Sequence, residues 1–252
     1  KTPPSLEVIC GTDGREDVAC FGSAFDLLQQ PVARLLFTSG GGQFLCTGWL
    51  VAGSNSNTLI TNNHCFSTQS ETNTLQALFN YQRTTCGGST NATTSSYAGG
   101  TFLKTNSVNR KGKRGGLDYT LCTLQGNPEA TWGKLTASTR TAAQGDPIYF
   151  IQHPAGNVKE VGYWEDAAHT LRCDVDTINQ SYGQAALGSQ TGYACDSEGG
   201  SSGSPIVDAG AQNHVIALHH FGGVNNNPCL NSGTQMSKIC ADAGSLLACV
   251  SN

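Results

Sequence analysis

The sequence predicts an all-β protein built as two halves and closed by a C-terminal helix, on three observations. Short runs rich in Val, Ile, Leu, Tyr, Phe and Thr recur between clusters of Gly, Asn and Ser, the spacing of a sandwich or barrel. Helical periodicity is weak until "MSKICADAGSLLACV", which sets Met236, Ile239, Cys240 and Leu247 near one face. A polar stretch containing Pro and Gly, residues 126–146, separates two groups of runs and reads as a linker. The runs in order are "VARLLF" from 32, "FLCTGWLVA" from 44, "TLITNNHC" from 58, "ALFNYQRT" from 77 and "YTLCTL" from 119. After the linker come "IYFIQHP" from 148, "TLRCDV" from 170 and "HVIALHHF" from 214.

A chain of 252 residues can bury a full core. Charged residues are only 13% of it, the formal net charge is −4, and no basic stripe with interleaved aromatics occurs, so nothing points to nucleic acid. No apolar window approaches the 18 or so residues of a membrane span, and "KTPPSLEV" has neither half of a signal peptide, so a mature chain is expected. Eleven cysteines lie singly, with no CxxC pair and no Cys/His spacing suited to zinc. Disulfides in an oxidising compartment follow, hence a secreted protein with at least one cysteine left over. No cofactor or metal is expected: His153, His169 and His214 have no carboxylate at metal spacing and read as strand-end or surface residues, and Trp49 and Trp164 as core.

Chemistry is suggested at three places. "TNNHC" puts His64 at the end of an apolar run, "GGLDYTLCTL" puts Asp118 at the start of another, and "EGGSSGSPI" packs serines into a turn that only glycines could make tight. A serine is a weak nucleophile unless a base lies within hydrogen-bond reach and a third group orients that base. Each piece has a bland explanation by itself, as a structural histidine, a turn aspartate or a loop. Their joint order and strand context favour catalysis.

"NHC" after "LCTGWLV", "LDYTLCTL" and "GSSGSP" together resemble the chymotrypsin-fold serine peptidases. "VICGTDGRED", "NYQRTTC" and "QHPAGNVKEV" add a resemblance to the bacterial lysyl endopeptidases that covers most of the chain, the last thirty or so residues diverging. The resemblance implies two six-stranded antiparallel β-barrels in one peptidase domain. Residues 1–135 would hold an N-terminal extension and the first barrel, and 136–252 the second barrel and the C-terminal helix. It implies Ser202 as nucleophile, His64 as base, Asp118 as its orienting acid, and the N–H groups of Gly200 and Ser202 as an oxyanion hole. The activity implied is secreted serine endopeptidase acting on protein or peptide substrates as a monomer. The rival of another class is a binding relative that keeps the fold without catalysis.

The pocket implied by the resemblance has two readings. Asp196 and Glu198 sit where basic-specific members hold acids, which favours cleavage after Lys or Arg. "ALHHFGGV" resembles a strand of glutamyl endopeptidases, in which His220 and Ser197, beside Gly222 and Gly223, would receive an acidic side chain instead. The acid that lysyl endopeptidases carry on the next segment falls on Lys238 or Leu230, depending on how the count is made. Ser201 stands where trypsin-type enzymes pair an Asp with a new N-terminal amine, so pro-peptide removal rather than N-terminal insertion is expected. The disulfides implied are Cys46–Cys65 and Cys10–Cys86; Cys195–Cys229 is guessed because both cysteines flank the pocket.

Overall fold

The computed structural model describes residues 8–108, 115–182, 185–210, 212–224 and 227–251. The "KGKR" run at 111–114, expected to be a solvated loop, lies outside the described residues. Fourteen strands are described. β1 (Arg15–Asp17) precedes a closed barrel of β2 (Val32–Ser39), β3 (Gly42–Leu50), β4 (Thr58–Thr61), β5 (Gln76–Phe79), β6 (Ser95–Asn106) and β7 (Tyr119–Leu124). The ring order is β2-β3-β4-β7-β6-β5. The second half holds β8 (Ile148–Gln152), β9 (Glu160–Gly162), β10 (Thr177–Gln180), β11 (Gln190–Tyr193), β12 (Pro205–Asp208), β13 (Val215–Phe221) and β14 (Asn231–Gln235).

The expected all-β architecture is thus present, with one change of detail. The second half is an eight-stranded half-barrel sheet ordered β1-β9-β8-β12-β13-β14-β11-β10 rather than a six-stranded ring. One edge of this sheet is β1, from the N-terminal segment, which runs antiparallel to β9. The run "TLRCDV" forms no strand; the chain there makes only single bridges, Trp164 to Arg172 and Pro147 to Asp174. The expected C-terminal helix spans Met236–Ala243 and buries Met236, Ile239 and Cys240. Among the described residues no helix is long and apolar enough to cross a membrane.

Three apolar clusters explain why these strands hold. Leu35, Phe37, Leu59, Phe66 and Phe79 fill the first barrel. Ile148, Phe150, Tyr193, Ile206 and Ile216 fill the second half. A third cluster joins the halves, taking Trp49, Ile60, Tyr119 and Leu121 from one side and Tyr149, Ile151, Val207 and Leu218 from the other, with Met236 and Ile239 of the helix. β7 is therefore buried along nearly its whole length, which is why "YTLCTL" shows no polar alternation. That joint is the floor of the cleft.

Five disulfides are present, and they correct the expected pairing. Cys46–Cys65 is formed as expected. Cys10 pairs with Cys229 and Cys20 with Cys86, so Cys10–Cys86 is not made. The physical reason is the path of the N-terminal segment, which runs along the second half before crossing to the first barrel at Cys20. Cys195 pairs with Cys173 rather than Cys229, and Cys240 with Cys249. Cys122 is the leftover thiol, buried in the first barrel, where burial pushes it up to about 12 and keeps it unreactive.

One buried charge sits at the crossing. Lys159 is wholly buried and its Nζ donates to the Gln29 carbonyl oxygen at 2.7 Å and to Gln29 Oε1 at 3.0 Å. Loss of hydration pulls its ammonium down to about 7. An unfolded lysine keeps its proton to beyond pH 10, so between about 7 and 10 the unfolded chain binds one more proton and stability climbs with pH. Below about pH 7 the penalty is fully present. Thermal melts of the native chain should therefore gain midpoint from pH 7 to 9 relative to Lys159→Met, in which that part of the slope is missing; parallel curves would disprove the assignment.

Candidate active site

The cleft between the halves brings together the three residues that the sequence singles out. His64 follows β4, Asp118 immediately precedes β7, and Ser202 lies in the turn before β12. Hydrogen bonding between β4 and β7 fixes the distance between the first two, since Thr61 lies opposite Thr120. His64 Nδ1 donates to Asp118 Oδ2 at 2.7 Å, and the His64 backbone N–H to Asp118 Oδ1 at 3.0 Å. Ser202 Oγ lies 2.9 Å from His64 Nε2, the distance at which the hydroxyl donates to the ring.

Asp118 is fully buried and its backbone adopts φ 51°, a left-handed conformation that costs a non-glycine residue roughly 1 kcal/mol. The Asn62 side-chain amide donates to the Asp118 carbonyl at 2.9 Å, holding that twist. Burial alone would raise the Asp118 carboxyl. Attraction to His64 and the hydrogen bonds from His220 and His64 outweigh it, and the group is held well below the ordinary carboxylate range. The acid is therefore an anion under any physiological condition.

The serine turn is shaped by two glycines. Gly200 has φ +108°, and a Cβ there would meet Gly156 N and His153 O, both at 2.9 Å. Gly203 has φ +91°, and a Cβ there would collide with Thr47 O and Thr61 Oγ1. The Ala155 N–H donates to the Gly199 carbonyl at 2.8 Å. In a trans peptide the C=O and the next N–H point opposite ways, so this bond turns the Gly200 N–H toward the cleft beside Ser202. Thr47 supports the turn twice, its Oγ1 donating to the Gly200 carbonyl at 2.9 Å and its N–H to the Ser202 carbonyl at 2.8 Å. Ser201 is buried and donates to Gln152 Oε1 at 2.5 Å, while Gln152 Nε2 donates to the Asp196 carbonyl at 2.9 Å.

The residues expected to line the pocket are placed differently from one another. His220 is buried behind the triad with Nδ1 donating to Asp118 Oδ2 at 3.1 Å and Nε2 2.5 Å from Gln190 Oε1. Burial lowers its basicity against the pull of Asp118. Its ring thus bridges the carboxylate of Asp118 and the side chain of Gln190. His219 points to the other side, into the core, with Nδ1 2.6 Å from the Tyr193 hydroxyl. Asp196 accepts the Cys10 N–H at Oδ1 and the Gly14 N–H at Oδ2, both at 2.8 Å. The Glu198 carboxylate is 2.9 Å from the Arg15 guanidinium. Both acids thus face the N-terminal segment. Ser197 Oγ donates to Asn231 Oδ1 at 3.0 Å, and Gly222 and Gly223 follow β13 at the cleft edge. Leu230 is buried, and Lys238 is exposed on the C-terminal helix.

The histidines expected to be bland are structural. His153 is buried with Nδ1 near the Asn157 carbonyl at 3.0 Å, and burial takes it down to about 3, so it stays neutral. His169 stacks on Trp164 with ring centroids 5.2 Å apart. Among the described residues no group of three His, Cys, Asp or Glu side chains is arranged to hold a metal. Sequence reasoning missed Gln152, Gln190, Thr47, Asn231 and the segment Val8–Arg15. The one available signal was the amide of Gln152 closing an otherwise apolar run.

Comparison with known proteins bears on the family and the fold. The family model for the lysyl endopeptidase C-terminal domain matches residues 12–237. A secreted RxLR effector protein of Plasmopara viticola is 33% identical over 234 residues, 88% of this chain and 53% of the effector. A lysyl endopeptidase of Pseudomonas aeruginosa is 29% identical over 210 residues, 79% of this chain and 42% of that enzyme. The chain thus spans about half the length of these relatives. A solved Glu endopeptidase superposes with TM-score 0.64 at 19% identity, covering 93% of this chain and 96% of its own. The active form of an M. tuberculosis protease superposes with TM-score 0.63 at 13% identity, covering 100% and 94%. With a family model spanning nearly the whole chain and a matching fold, the chain belongs to the lysyl endopeptidase C-terminal domain family, a branch of the chymotrypsin-like serine proteases.

Proposed function

We propose that the protein is a secreted serine endopeptidase acting as a monomer on protein or peptide substrates. The observation that carries this reading is the position of His64, with its ring between Ser202 Oγ at 2.9 Å and the buried Asp118 carboxylate at 2.7 Å. In the reaction Ser202 Oγ bonds to the scissile carbonyl carbon while its proton passes to His64 Nε2. The C–N bond then breaks and the amine leaves with that proton. Water, deprotonated by the same imidazole, hydrolyses the acyl-enzyme and restores Ser202. Asp118 holds the tautomer in which Nδ1 carries the proton and stabilises the imidazolium. The N–H groups of Gly200 and Ser202 bind the oxyanion, each such donor contributing about 3 kcal/mol to the transition state. Five disulfides and a relative described as secreted support an extracellular site of action.

Cleavage after Lys or Arg, the specificity first expected, depends on Asp196 or Glu198 meeting a substrate ammonium, and both are engaged by the N-terminal segment. Cleavage after Glu or Asp depended on His220, which faces Asp118. The chemistry is supported independently of either.

Ser202→Ala should lower kcat/KM by roughly 10⁴-fold or more and abolish labelling by a fluorophosphonate probe. A native chain that the probe does not label would favour a non-catalytic binding relative instead. His220→Ala should lower kcat about 10- to 100-fold with KM little changed, since a hydrogen bond to a charged group contributes about 1.5 to 3 kcal/mol. A raised KM at constant kcat would return His220 to the substrate pocket.

A further inference from the structure

Both ring nitrogens of the buried His220 face an oxygen. Nδ1 lies 3.1 Å from Asp118 Oδ2, and Nε2 lies 2.5 Å from Gln190 Oε1. Asp118 is ionised and offers only lone pairs, so a hydrogen bond on that side needs a proton on Nδ1. The proton on the other side is decided by which way the Gln190 amide is turned, since its oxygen accepts and its nitrogen donates.

That amide is oriented by its neighbours. Ser189 Oγ donates to the Ala186 carbonyl at 2.7 Å, and a carbonyl can only accept, so the single hydroxyl proton of Ser189 is used there. The atom of Gln190 that lies 2.8 Å from Ser189 Oγ must therefore be a donor, the amide nitrogen. The same nitrogen donates to Thr234 Oγ1 at 3.2 Å, and Thr234 stands directly opposite Gln190 in the β11–β14 ladder, so strand register holds this partner in place. Ser189, Gln190 and Thr234 are all buried. The amide oxygen is left facing His220, and the imidazole Nε2 must carry a proton to meet it.

We infer that His220 carries a proton on both ring nitrogens and is the buried counter-ion of Asp118, a positioning residue that also sets the proton affinity of His64. Each of its protons then has an acceptor, and the buried carboxylate has a cation beside it before catalysis begins. A neutral His220 would turn a ring lone pair against either the carboxylate or the Gln190 oxygen. Burial and the neighbouring His64 and His219 oppose the second proton, while the charge and hydrogen bond of Asp118 favour it. The Gln190 oxygen adds a second acceptor on the favourable side. His64 Nδ1 and His220 Nδ1 share one carboxylate oxygen, so they are at most about 6 Å apart and a charge on one raises the cost of a charge on the other. His64 is thereby a weaker base than it would be beside Asp118 alone, and stays neutral and able to take the Ser202 proton down to lower pH. The inference rests on the peptidase reading above and deepens it.

The direct test is nitrogen NMR of the full chain with isotope-labelled histidine at about pH 8, where exposed histidines are neutral, beside fluorophosphonate labelling of the same sample. One histidine should show two protonated ring nitrogens, and that signal should be missing from His220→Asn, whose side-chain amide still offers Asp118 a donor but no charge. Without the cation His64 becomes more basic, so His220→Asn should move the acid limb of kcat/KM up by about one to two pH units. Gln190→Met keeps His220 and removes the acceptor from its Nε2; it should move the limb in the same direction, and it serves where His220→Asn does not fold. A spectrum with every histidine singly protonated at that pH, or an acid limb unmoved in both variants while kcat falls, overturns this inference and leaves the peptidase reading standing. A chain that the probe does not label overturns the peptidase reading, and the spectrum then decides the charge of His220 by itself.

Discussion

A single buried carboxylate organises the cleft. Asp118 has no solvent contact and yet stays ionised, so every oxygen lone pair it presents has to be answered by protein. His64 answers with a ring N–H and a backbone N–H, and His220 with a ring N–H. These bonds set where the His64 ring lies and, through it, where Ser202 must be delivered. The left-handed backbone at Asp118, just before β7, belongs to the same constraint: the buried Asn62 amide donates to the Asp118 carbonyl and holds that turn. The apolar joint between the halves keeps water out of this arrangement, which strengthens each of its electrostatic contacts.

Ser202 is delivered from the other half by a loop with little regular structure of its own. Residues 196–204 make one tight turn between β11 and β12, and such a segment is held in place by tertiary bonds or not at all. Thr47 reaches across from the first barrel to two of its carbonyls, Gln152 links Ser201 to the Asp196 carbonyl, and the N-terminal segment takes the remaining polar groups. Ser201, which stands where the resemblance to trypsin-type enzymes would put an Asp, is paired with the neutral Gln152. The serine turn is thus braced by hydrogen bonds supplied from within the chain.

The grouping of His64, Asp118 and Ser202 was legible because its chemistry needs particular residue types in recognisable contexts: "TNNHC" and "LDYTLCTL" adjoin apolar β-rich runs bounded by turn residues, and "GSSGSP" is a glycine-bounded serine turn. The runs that became β2, β3, β7, β8 and β13 were legible for the same reason. β6, β11 and β14 were not, because "SSYAGGTFLKTN", "QTGY" and "NSGTQ" are polar or glycine-rich and owe their extended form to neighbours rather than to propensity. β6 also shifts register near Gly99 and Phe102, which destroys any simple alternation. The partners of the two loop acids were not legible for a different reason. Sequence position locates Asp196 and Glu198 correctly on the loop, but which way a carboxylate faces depends on a segment 180 or more residues away, and no local pattern reports that.

That last point bears on how specificity arises in this fold. A charged pocket is made by leaving a buried acid without an internal partner until substrate arrives, a costly state that the rest of the structure has to sustain. Here the N-terminal segment removes the cost by supplying partners to both acids, with a disulfide, several backbone N–H groups and one guanidinium. Satisfied by two amide protons, Asp196 is a structural anchor for the loop that delivers Ser202.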